Sequence, residues 1–400
     1  MRRTIPLILF VTIAAVILSA TSAPYLKKEI RVFVDGEELE GHSLRVEVTH
    51  ALRADKAGGY AKLYEKLLER YDAKQALNYL AIGLGDYLSA ECERRSVKPL
   101  DATLEWTKGL SKPFIYYDET PGREASLTDV GRAVARAMDR DTGAHAYTYT
   151  HESAAAVTRA DLVNRTREIA RFSTDFRTSG ENRRHNIALA AQAINGTVLA
   201  PNETFSFNAS VGERLEERGY REANIVVSGE FVKGVGGGVC QVSTTLYNAV
   251  LLAGLPVEYA AAHSRPVSYV SYSRDCTVSS AIDFRFRNDT DYPIYVAAEI
   301  RDCTLTFCLF GEAHAGTRQL ESELVEILPY RSLYEDGSTY SGAEEDLLLS
   351  PGREGIRSRL YRIEGETRTL IRENRYPPKD AIYRKRPHSQ ARTEQWRESA

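Results

Sequence analysis

The sequence lacks an excess of charge of either sign, and it contains few cysteines and a single long apolar run. Its net charge at pH 7 is −3 over 400 residues, so we expect no nucleic-acid partner. Five cysteines are too few for a disulfide framework at this length, and their odd number predicts at least one free thiol. With 43% hydrophobic and 27% charged residues, the chain is typical of globular proteins that bury a core.

The long apolar run lies near the N-terminus, at residues 5–20. Arg2 and Arg3 precede it, and the small residues of SATSA follow it. This order is typical of a secretory signal with cleavage after Ala23, although the run is also long enough to remain as a membrane anchor. We therefore expect residues 1–23 to be a signal peptide or an N-terminal anchor, and the rest of the chain to lie outside the cytoplasm.

The remaining sequence predicts a multi-domain α+β protein. Helical spacing of apolar residues alternates with strand-like segments at first, and a block of helices followed by short strands, such as PVSYVSYS at 266–273, comes next. Turn residues separate these strands, which favours an antiparallel sheet. The predicted parts are small α+β modules at 24–95 and 96–158, a central domain at 159–315 with helices packed on the sheet, a β-rich module at 316–380 and a disordered basic tail at 381–400.

The central domain contains a glycine run directly before a cysteine, in the segment GVGGGVCQVSTTLYNAV at 234–250. Apolar spacing predicts a helix that begins at Gln241 and is stopped by Gly254. Cys240 then lies at the N-terminus of this helix, where unpaired N–H groups and the helix dipole lower the pKa of a thiol. The glycines allow a tight turn and a close approach of substrate backbone to the sulfur. The pattern therefore predicts a reactive thiol.

A thiolate nucleophile needs a base and a group that orients the base. His263 is the best candidate for the base because it follows the helix after one short strand, and Asp275 on the next connection is the candidate that orients it. Asp283 is the second choice for the carboxylate, and His185 is the main competitor of His263. The order of Cys, His and Asp along the chain resembles that of transglutaminase-like thiol enzymes. The predicted catalytic group is Cys240, His263 and Asp275.

Two other roles of Cys240 remain open at this level. A buried cysteine is most often a small apolar side chain without chemistry, and a glycine run is most often a loop. Alternatively, Cys240, His263 and Cys276 are zinc ligands. Zinc sites commonly use paired short spacings, and the sequence contains neither C-x-x-C nor H-x-x-x-H. We therefore predict no metal and no cofactor.

Four motifs occur in order along the central domain. They are RRHNIALAAQAINGTVLAPNETFSFNASVG, GERLEERGYREANIVVSGEFVKGVGGGVCQVSTTLYNAVLLAGLPV, HSRPVSYV and DFRFRNDTDYPIYV. In this order and at these spacings they resemble the VanW family, which is named from vancomycin-resistance clusters. The segment 96–158 is similar to the peptidoglycan-binding module that often precedes VanW domains.

The resemblance implies an exported cell-envelope protein that acts on peptidoglycan, with Cys240 as the nucleophile of an L,D-transpeptidase or L,D-carboxypeptidase. It implies stem peptides and glycan strands as partners, and the cytoplasmic membrane as well if residues 1–23 are not removed. The alternative is a non-catalytic scaffold or accessory protein in envelope or glycopeptide-resistance biology, in which Cys240 is structural. Cys276 departs from the family, which usually has alanine there, and a second thiol at this place could pair with Cys240.

Further residues receive roles around the predicted nucleophile. Backbone N–H groups of the glycine turn are expected to stabilise an oxyanion, and arginines to bind peptide carboxylates, because arginine pairs with them bidentately. Solvated surface charge is the other interpretation of these arginines. The oxyanion and substrate loop comprises Gly236, Gly237, Gly238 and Gln241. The substrate-binding set comprises Arg184, His185, Asn186 and Arg265, with Arg183 beside them.

Overall fold

The computed structural model describes the residues 27–39, 44–47, 58–140, 144–227, 230–312, 316–335 and 346–385. The predicted signal or anchor segment at 1–23 lies outside these residues. Within the described ranges, no helix has both the length and the apolar character needed to cross a bilayer. The chain divides into two compact units, of which unit 1 is Met1–Ala102 with Glu119–Val157 and unit 2 is Thr103–Asp118 with Thr158–Ala400.

The helices and strands of the described residues are numbered in chain order. The helices are α1 (Tyr60–Leu68), α2 (Ala73–Leu80), α3 (Leu84–Arg95), α4 (Leu127–Met138), α5 (Arg159–Asn164), α6 (Glu181–Ile194), α7 (Phe207–Val211) and α8 (Val239–Ala253). The strands are β1 (Lys27–Val34), β2 (Glu37–Glu38), β3 (Leu44–Glu47), β4 (Thr103–Trp106), β5 (Phe114–Tyr117), β6 (Gly122–Glu124), β7 (Ala144–Thr148), β8 (His151–Ser153), β9 (Arg167–Asp175), β10 (Thr197–Leu199), β11 (Thr204–Ser206), β12 (Glu222–Val227), β13 (Glu230–Val235), β14 (Val257–Tyr259), β15 (Arg285–Arg287), β16 (Ile294–Arg301), β17 (Thr304–Gly311), β18 (Arg318–Leu328), β19 (Ser332–Glu335), β20 (Leu347–Ser350), β21 (Gly355–Glu364), β22 (Thr367–Tyr376) and β23 (Ala381–Arg384).

The described residues of unit 1 form four helices and a small mixed sheet. Strand β1 pairs antiparallel with β2 and β3 and parallel with β7. Helix α4 shows why the apolar spacing matters, because Val130, Val134 and Met138 lie on one face and are buried in the core of this unit. The predicted boundary between 24–95 and 96–158 lies inside unit 1, since the pairing of β1 with β7 joins residues from both sides of it.

The centre of unit 2 is an antiparallel sheet with the strand order β10-β16-β17-β9. Helix α8 lies against β9 and β17, and α6 lies against α8 and β16. Strand β17 alternates between two buried faces: Leu305, Phe307 and Leu309 belong to the main core, while Cys308 and Phe310 pack with the hairpin β4–β5. The predicted α+β class, with helices packed on an antiparallel sheet, is confirmed.

Unit 2 also contains smaller sheets, with the strand orders β11-β15-β14, β12-β13, β18-β21-β22 and β19-β23-β20. Residues Ala381–Arg384, which we predicted as the start of a disordered tail, form β23 instead, because their backbone pairs with β19 and β20. Residues 386–400 lie outside the described part of the chain. The segment 266–273 forms bends instead of the predicted strand, and its Pro266 has no N–H for a strand ladder.

Candidate active site

The glycine run forms the turn that leads from β13 into α8. Gly236 and Gly238 have φ angles of 85° and 111°, which residues with a Cβ rarely adopt. A Cβ on Gly237 would lie 2.6 Å from the carbonyl oxygen of Asn224, and one on Gly238 would lie 2.9 Å from Cγ of Arg183. These glycines therefore allow a close approach of neighbouring segments of the chain, and the approach of substrate backbone that we expected from the sequence stays a prediction.

Replacing Gly237 with alanine is expected to lower the free energy of unfolding by about 1–3 kcal/mol, the usual cost of overpacking. The new Cβ would meet Asn224 O at 2.6 Å and Ala223 Cβ at 2.8 Å, and both atoms belong to β12. Urea unfolding followed by circular dichroism measures the change. Gly180→Ala is the matched control, because a Cβ there has no heavy atom within 4 Å. Equal stability of the two variants would contradict the proposed packing of the turn.

Helix α8 begins at Val239, earlier than predicted, so that Cys240 lies in its first turn. The polar side chains of this helix are buried and fix the segment that follows residue 272. Ser243 Oγ donates to the carbonyl oxygen of Cys276 at 2.7 Å, and Asn248 Nδ2 donates to that of Arg274 at 2.8 Å. These bonds hold the segment that carries Asp275 against the helix that carries Cys240.

The three predicted catalytic side chains meet in the structure. His263 Nδ1 lies 2.7 Å from Asp275 Oδ2, and the backbone N–H of His263 donates to the same oxygen at 2.7 Å. The imidazole also hydrogen-bonds the thiol of Cys240. Cys240 Sγ lies 3.6 Å from Thr277 Oγ1 and 3.3 Å from Val278 O, and the N–H of Val278 donates to it at 3.5 Å. The side chains therefore form a series of thiol, imidazole and carboxylate.

The charges of this series favour a thiolate–imidazolium pair. Burial of Cys240 is the largest influence and acts to raise its pKa, but the hydrogen bond and charge of His263 outweigh it, and the pKa of the thiol is lowered. Burial also acts to lower the pKa of His263, yet Asp275 and Cys240 raise it to about 9. The pKa of Asp275 is lowered in spite of its burial, because His263 is its hydrogen-bond partner. Between the lowered pKa of the Cys240 thiol and the pKa of His263 at about 9, the thiol is therefore a thiolate and the imidazole is an imidazolium. The nucleophile and the proton donor are then both in their active forms.

Two residues of β22 hold Asp275 in place. Tyr376 Oη donates to Asp275 Oδ1 at 2.5 Å and accepts from the N–H of Ser273 at 2.9 Å. The guanidinium of Arg372 donates to the carbonyl oxygens of Ser273 and Asp275 and lies 3.6 Å from Asp275 Oδ1. The C-terminal β-rich module therefore contributes to a site that we predicted from the central domain alone.

The Tyr376→Phe variant is expected to lower the free energy of unfolding by about 1–3 kcal/mol, because buried polar groups of Ser273 and Asp275 both lose a partner. Urea unfolding measures the loss. Tyr383→Phe is the control in the same module, since the ring of Tyr383 keeps its stacking with Tyr334. If the two phenylalanine variants unfold at the same urea concentration, Tyr376 does not support Asp275 energetically.

Cys240 borders a cleft with a volume of about 1380 Å³. The glycine turn and the first turn of α8 line it together with the segments 262–269 and 277–282. Acidic residues of the lining are Asp175, which is paired with Arg177 at 2.7 Å, and the exposed Glu213. Cationic residues outnumber them, which favours an anionic ligand. The arginines of the lining are Arg183, Arg214, Arg218 and Arg265.

Gln241 and Arg265 line this cleft, as the three glycines of the turn do. The side chain of Gln241 is buried, and its Nε2 donates to Thr174 Oγ1 at 3.0 Å and to Asp175 O at 2.9 Å. Gln241 therefore anchors α8 to the end of β9. Asp283, the second choice for the orienting carboxylate, accepts instead from Ser206 Oγ at 2.7 Å.

Arg184, His185 and Asn186 are absent from the described lining of the cleft. The guanidinium of Arg184 donates to two backbone carbonyl oxygens, and His185 Nε2 lies 2.9 Å from Gly219 O. Asn186 is fully buried, and its Nδ2 donates to Gly237 O at 3.0 Å. This hydrogen bond fixes the backbone of the glycine turn. Successive residues of a helix point in different directions, which separates these three from Arg183.

Two further residues of the lining were missed by the sequence reasoning. Arg214 and Tyr269 border the cleft, and the charge of Cys240 acts on both of them. Burial lowers the pKa of Arg214 and raises that of Tyr269. Both residues lie within the motifs that carry the family resemblance, but nothing in their spacing indicates that they face Cys240.

Metal binding and disulfide formation were the other interpretations of these thiols. Over the described ranges, no group of three or more His, Cys, Asp or Glu side chains has the arrangement of a metal site. All five cysteines are free in the structure, so Cys240 and Cys276 do not form a disulfide. Cys276 is fully buried, and burial raises the pKa of its thiol.

Fold and site together define an α+β domain that carries cysteine, histidine and aspartate in series beside a cationic cleft. Residues 182–310, which include Cys240, His263 and Asp275, match the family model described as "VanW like protein". This match confirms, for this part of the chain, the resemblance inferred from the motifs.

Two curated relatives are similar to part of the chain. Over 154 residues, 38% of the chain, it is 49% identical to "Uncharacterized protein YoaR" of Bacillus subtilis (strain 168), and 51% of that protein is covered. Over 127 residues, 30% of the chain, it is 34% identical to "Vancomycin B-type resistance protein VanW" of Enterococcus faecalis (strain ATCC 700802 / V583), with 46% of that protein covered. The chain thus spans about half the length of these relatives. A solved structure, "Crystal structure of HP0197-G5", matches 17% of the chain and 96% of its own length at 19% identity, with a TM-score of 0.12.

Proposed function

We propose that the site catalyses cysteine-dependent acyl transfer on peptidoglycan stem peptides, of the L,D-transpeptidase or L,D-carboxypeptidase type. The observation that carries the proposal is the hydrogen-bonded series of Cys240, His263 and Asp275 at the start of a helix and beside a cleft. The cationic lining of the cleft supports an anionic peptide as the substrate. The vancomycin-resistance name of the Enterococcus relative and the export pattern of the sequence support action at the cell envelope, outside the cytoplasm.

The proposed reaction starts from the thiolate–imidazolium pair. Cys240 Sγ attacks the carbonyl carbon of the diaminopimelate residue in a stem tetrapeptide, and the carbonyl electron pair moves onto the oxygen. When this tetrahedral intermediate collapses, the carbon–nitrogen bond to the terminal D-alanine breaks, and His263 gives its proton to the leaving amine. D-alanine leaves, and the peptide remains bound to Cys240 as a thioester.

The second half of the reaction releases the peptide from Cys240. An amine of a neighbouring stem attacks the thioester carbonyl and yields a cross-link, or water attacks it and yields a shortened stem. His263, which is now neutral, takes the proton from the attacking group, and Cys240 leaves as the thiolate. Asp275 keeps its hydrogen bond to His263 in both halves and stabilises the imidazolium each time it forms.

The oxyanion of each tetrahedral intermediate needs a donor beside the thiol. The N–H of Val239 donates to Gly236 O at 3.2 Å and that of Gln241 donates to Gly238 O at 2.9 Å, so both are already engaged. The N–H of Cys240 has no hydrogen-bond acceptor within the described residues, as is usual for the first N–H groups of a helix. We therefore propose the N–H of Cys240 as the oxyanion donor.

Intact-protein mass spectrometry of the reduced full chain, incubated with disaccharide-tetrapeptide, tests the proposed function. The expected result is an adduct of the donor minus D-alanine, mapped to Cys240 by peptide analysis, with D-alanine released in equal amount. The matched control is the same muropeptide with L-alanine at its end, which should give no adduct. A folded protein that binds the tetrapeptide without any adduct would contradict the proposal and favour the non-catalytic scaffold.

A further inference from the structure

Two arginines flank the turn that presents Cys240. Arg183 comes from the first turn of α6, and a Cβ on Gly238 would lie 2.9 Å from its Cγ. Arg214 follows α7, and a Cβ on Gly236 would lie 2.8 Å from its own Cβ. The stems of both arginines therefore pack against the two positive-φ glycines of the turn, and both residues line the cleft together with Cys240.

Neither guanidinium is neutralised by a carboxylate of the described chain. Arg183 Nη1 donates to Ser179 Oγ at 2.6 Å, and Arg214 Nη2 donates to Asn208 Oδ1 at 2.6 Å, so both of these partners are neutral. Asp283 is the carboxylate whose charge acts on Arg214, but it accepts hydrogen bonds from Ser206 Oγ and from the N–H of Asn208.

This environment is unfavourable for two cations. Burial is the largest influence on Arg183 and on Arg214 and lowers the pKa of each, while the charge of Cys240 raises both. Arginine nevertheless stays protonated in proteins, so the two charges remain in the cleft. A partly buried cation that no carboxylate pairs is costly, and an anion bound to these two guanidinium groups would relieve the cost.

We propose that Arg183 and Arg214 bind the free carboxylate of the residue that leaves, so that the site selects donor peptides that end one residue after the scissile carbonyl. This inference rests on the proposed function and names the substrate class of the same site. A terminal carboxylate lies one residue, about 3.8 Å along the chain from Cα to Cα, beyond the acylated residue. Groups beside the thiol can therefore reach it, and the guanidinium fork matches its two oxygens.

The charge at the end of a stem peptide then decides whether the peptide reacts. A tetrapeptide with a free D-alanine carboxylate presents the anion next to the carbonyl that Cys240 attacks. The same peptide with a C-terminal carboxamide has the same shape but no charge at this place, and it leaves both arginines unpaired. Specificity of this kind is strong because the loss falls on partly buried charged groups that the wrong ligand cannot satisfy.

The experiment compares the rates of Cys240 acylation by tetrapeptide donors that end in a carboxylate or in a carboxamide. For the unmodified full chain, we expect the acid to react at least about 20-fold faster than the amide. Arg183→Met and Arg214→Met keep an unbranched stem against the glycine turn but remove the charge, and each should reduce this ratio to less than about fivefold. Arg221→Met is the matched control and should keep the ratio, because Arg221 is exposed, lies 3.8 Å from Glu181 and is not among the described residues that line the cleft.

A binding measurement separates this inference from the proposed function. Calorimetry of the Cys240→Ser chain with the two peptides should show the same preference for the acid, and Arg183→Met or Arg214→Met in that background should remove it. If the Cys240→Ser chain prefers the acid but the unmodified chain is not acylated by either peptide, the carboxylate site stands and the proposed reaction fails. If acid and amide bind and react equally, or if the arginine variants keep the preference, the inference is overturned.

Discussion

Replacing Cys240 with serine is expected to lower the rate of D-alanine release from the tetrapeptide by at least about 10³-fold, as for removal of a nucleophile from a catalytic group. The protein should remain folded, because an oxygen at this position can keep the contacts of Sγ with Val278 O and Thr277 Oγ1. A serine hydroxyl does not ionise near neutral pH, so the charge pair with His263 is lost. Release of D-alanine, measured with a coupled assay, gives the rate, and thermal unfolding checks the fold.

Cys303→Ser is the matched control for this variant. Cys303 is partly buried like Cys240, but it lies in the turn between β16 and β17. It is not among the described residues that line the cleft. This control should retain the full rate. A Cys240→Ser protein with a rate within about tenfold of the unmodified chain would exclude Cys240 as the nucleophile. If both variants lost the rate, the loss would not be specific to Cys240 and would not identify it as the nucleophile.

The His263→Ala variant is expected to raise the pKa of the Cys240 thiol and to slow its alkylation at neutral pH by at least about tenfold, because each pKa unit changes the thiolate fraction tenfold. In the intact site, burial acts to raise this pKa and His263 lowers it by more. Without the imidazole, burial is opposed by the weaker hydrogen bonds of Val278 and Thr277 alone. The thiol should then stay protonated to higher pH, and the pH profile of iodoacetamide labelling at Cys240 measures the shift.

His185→Ala is the control for the labelling profile. His185 belongs to the same domain, but its Nε2 lies 2.9 Å from Gly219 O. It is not among the described residues that line the cleft. Its removal should leave the midpoint of Cys240 labelling unchanged. Coincident profiles for the unmodified chain and the His263→Ala variant would show that the imidazole does not stabilise the thiolate.

The sequence predicts the core of the candidate site because its signals are local or follow a simple order. The glycine turn, the apolar stripe of the next helix and the stop at Gly254 place Cys240 in the first turn of α8. His263 and Asp275 follow within one short strand and one connection, so few arrangements of the chain could keep them far from the helix. Their contact at 2.7 Å agrees with that order.

The outer part of the site depends on contacts between distant segments, which local patterns do not encode. Tyr376 reaches Asp275 from 101 positions further along the chain, and nothing in the spacing of β22 indicates that its Oη points to a carboxylate. The run from Arg183 to Asn186 illustrates a second limit. Without knowing which side of α6 packs on the core, the one side chain that faces the cleft cannot be distinguished from its neighbours.

The same division applies to the fold. Helix periodicity and strand alternation depend on adjacent residues, and the α+β class follows from them. Which elements join one unit depends on long-range pairing instead. Strand β7 completes the sheet of β1 in unit 1, while the hairpin β4–β5 packs on Cys308 and Phe310 in unit 2. A boundary drawn where the local pattern changes cannot account for such pairing.

The most direct test of the central claim is the ionisation of Cys240 itself, measured as the ultraviolet thiolate absorbance of the unmodified chain minus that of the Cys240→Ser variant across pH. Because His263 lowers the pKa of this thiol, we predict that the difference appears below the ordinary pKa of cysteine. Cys92, whose pKa burial raises to about 11, contributes equally to both proteins and cancels. A difference that appears only above about pH 8.5, the ordinary pKa of a cysteine thiol, would contradict a reactive thiolate at this site.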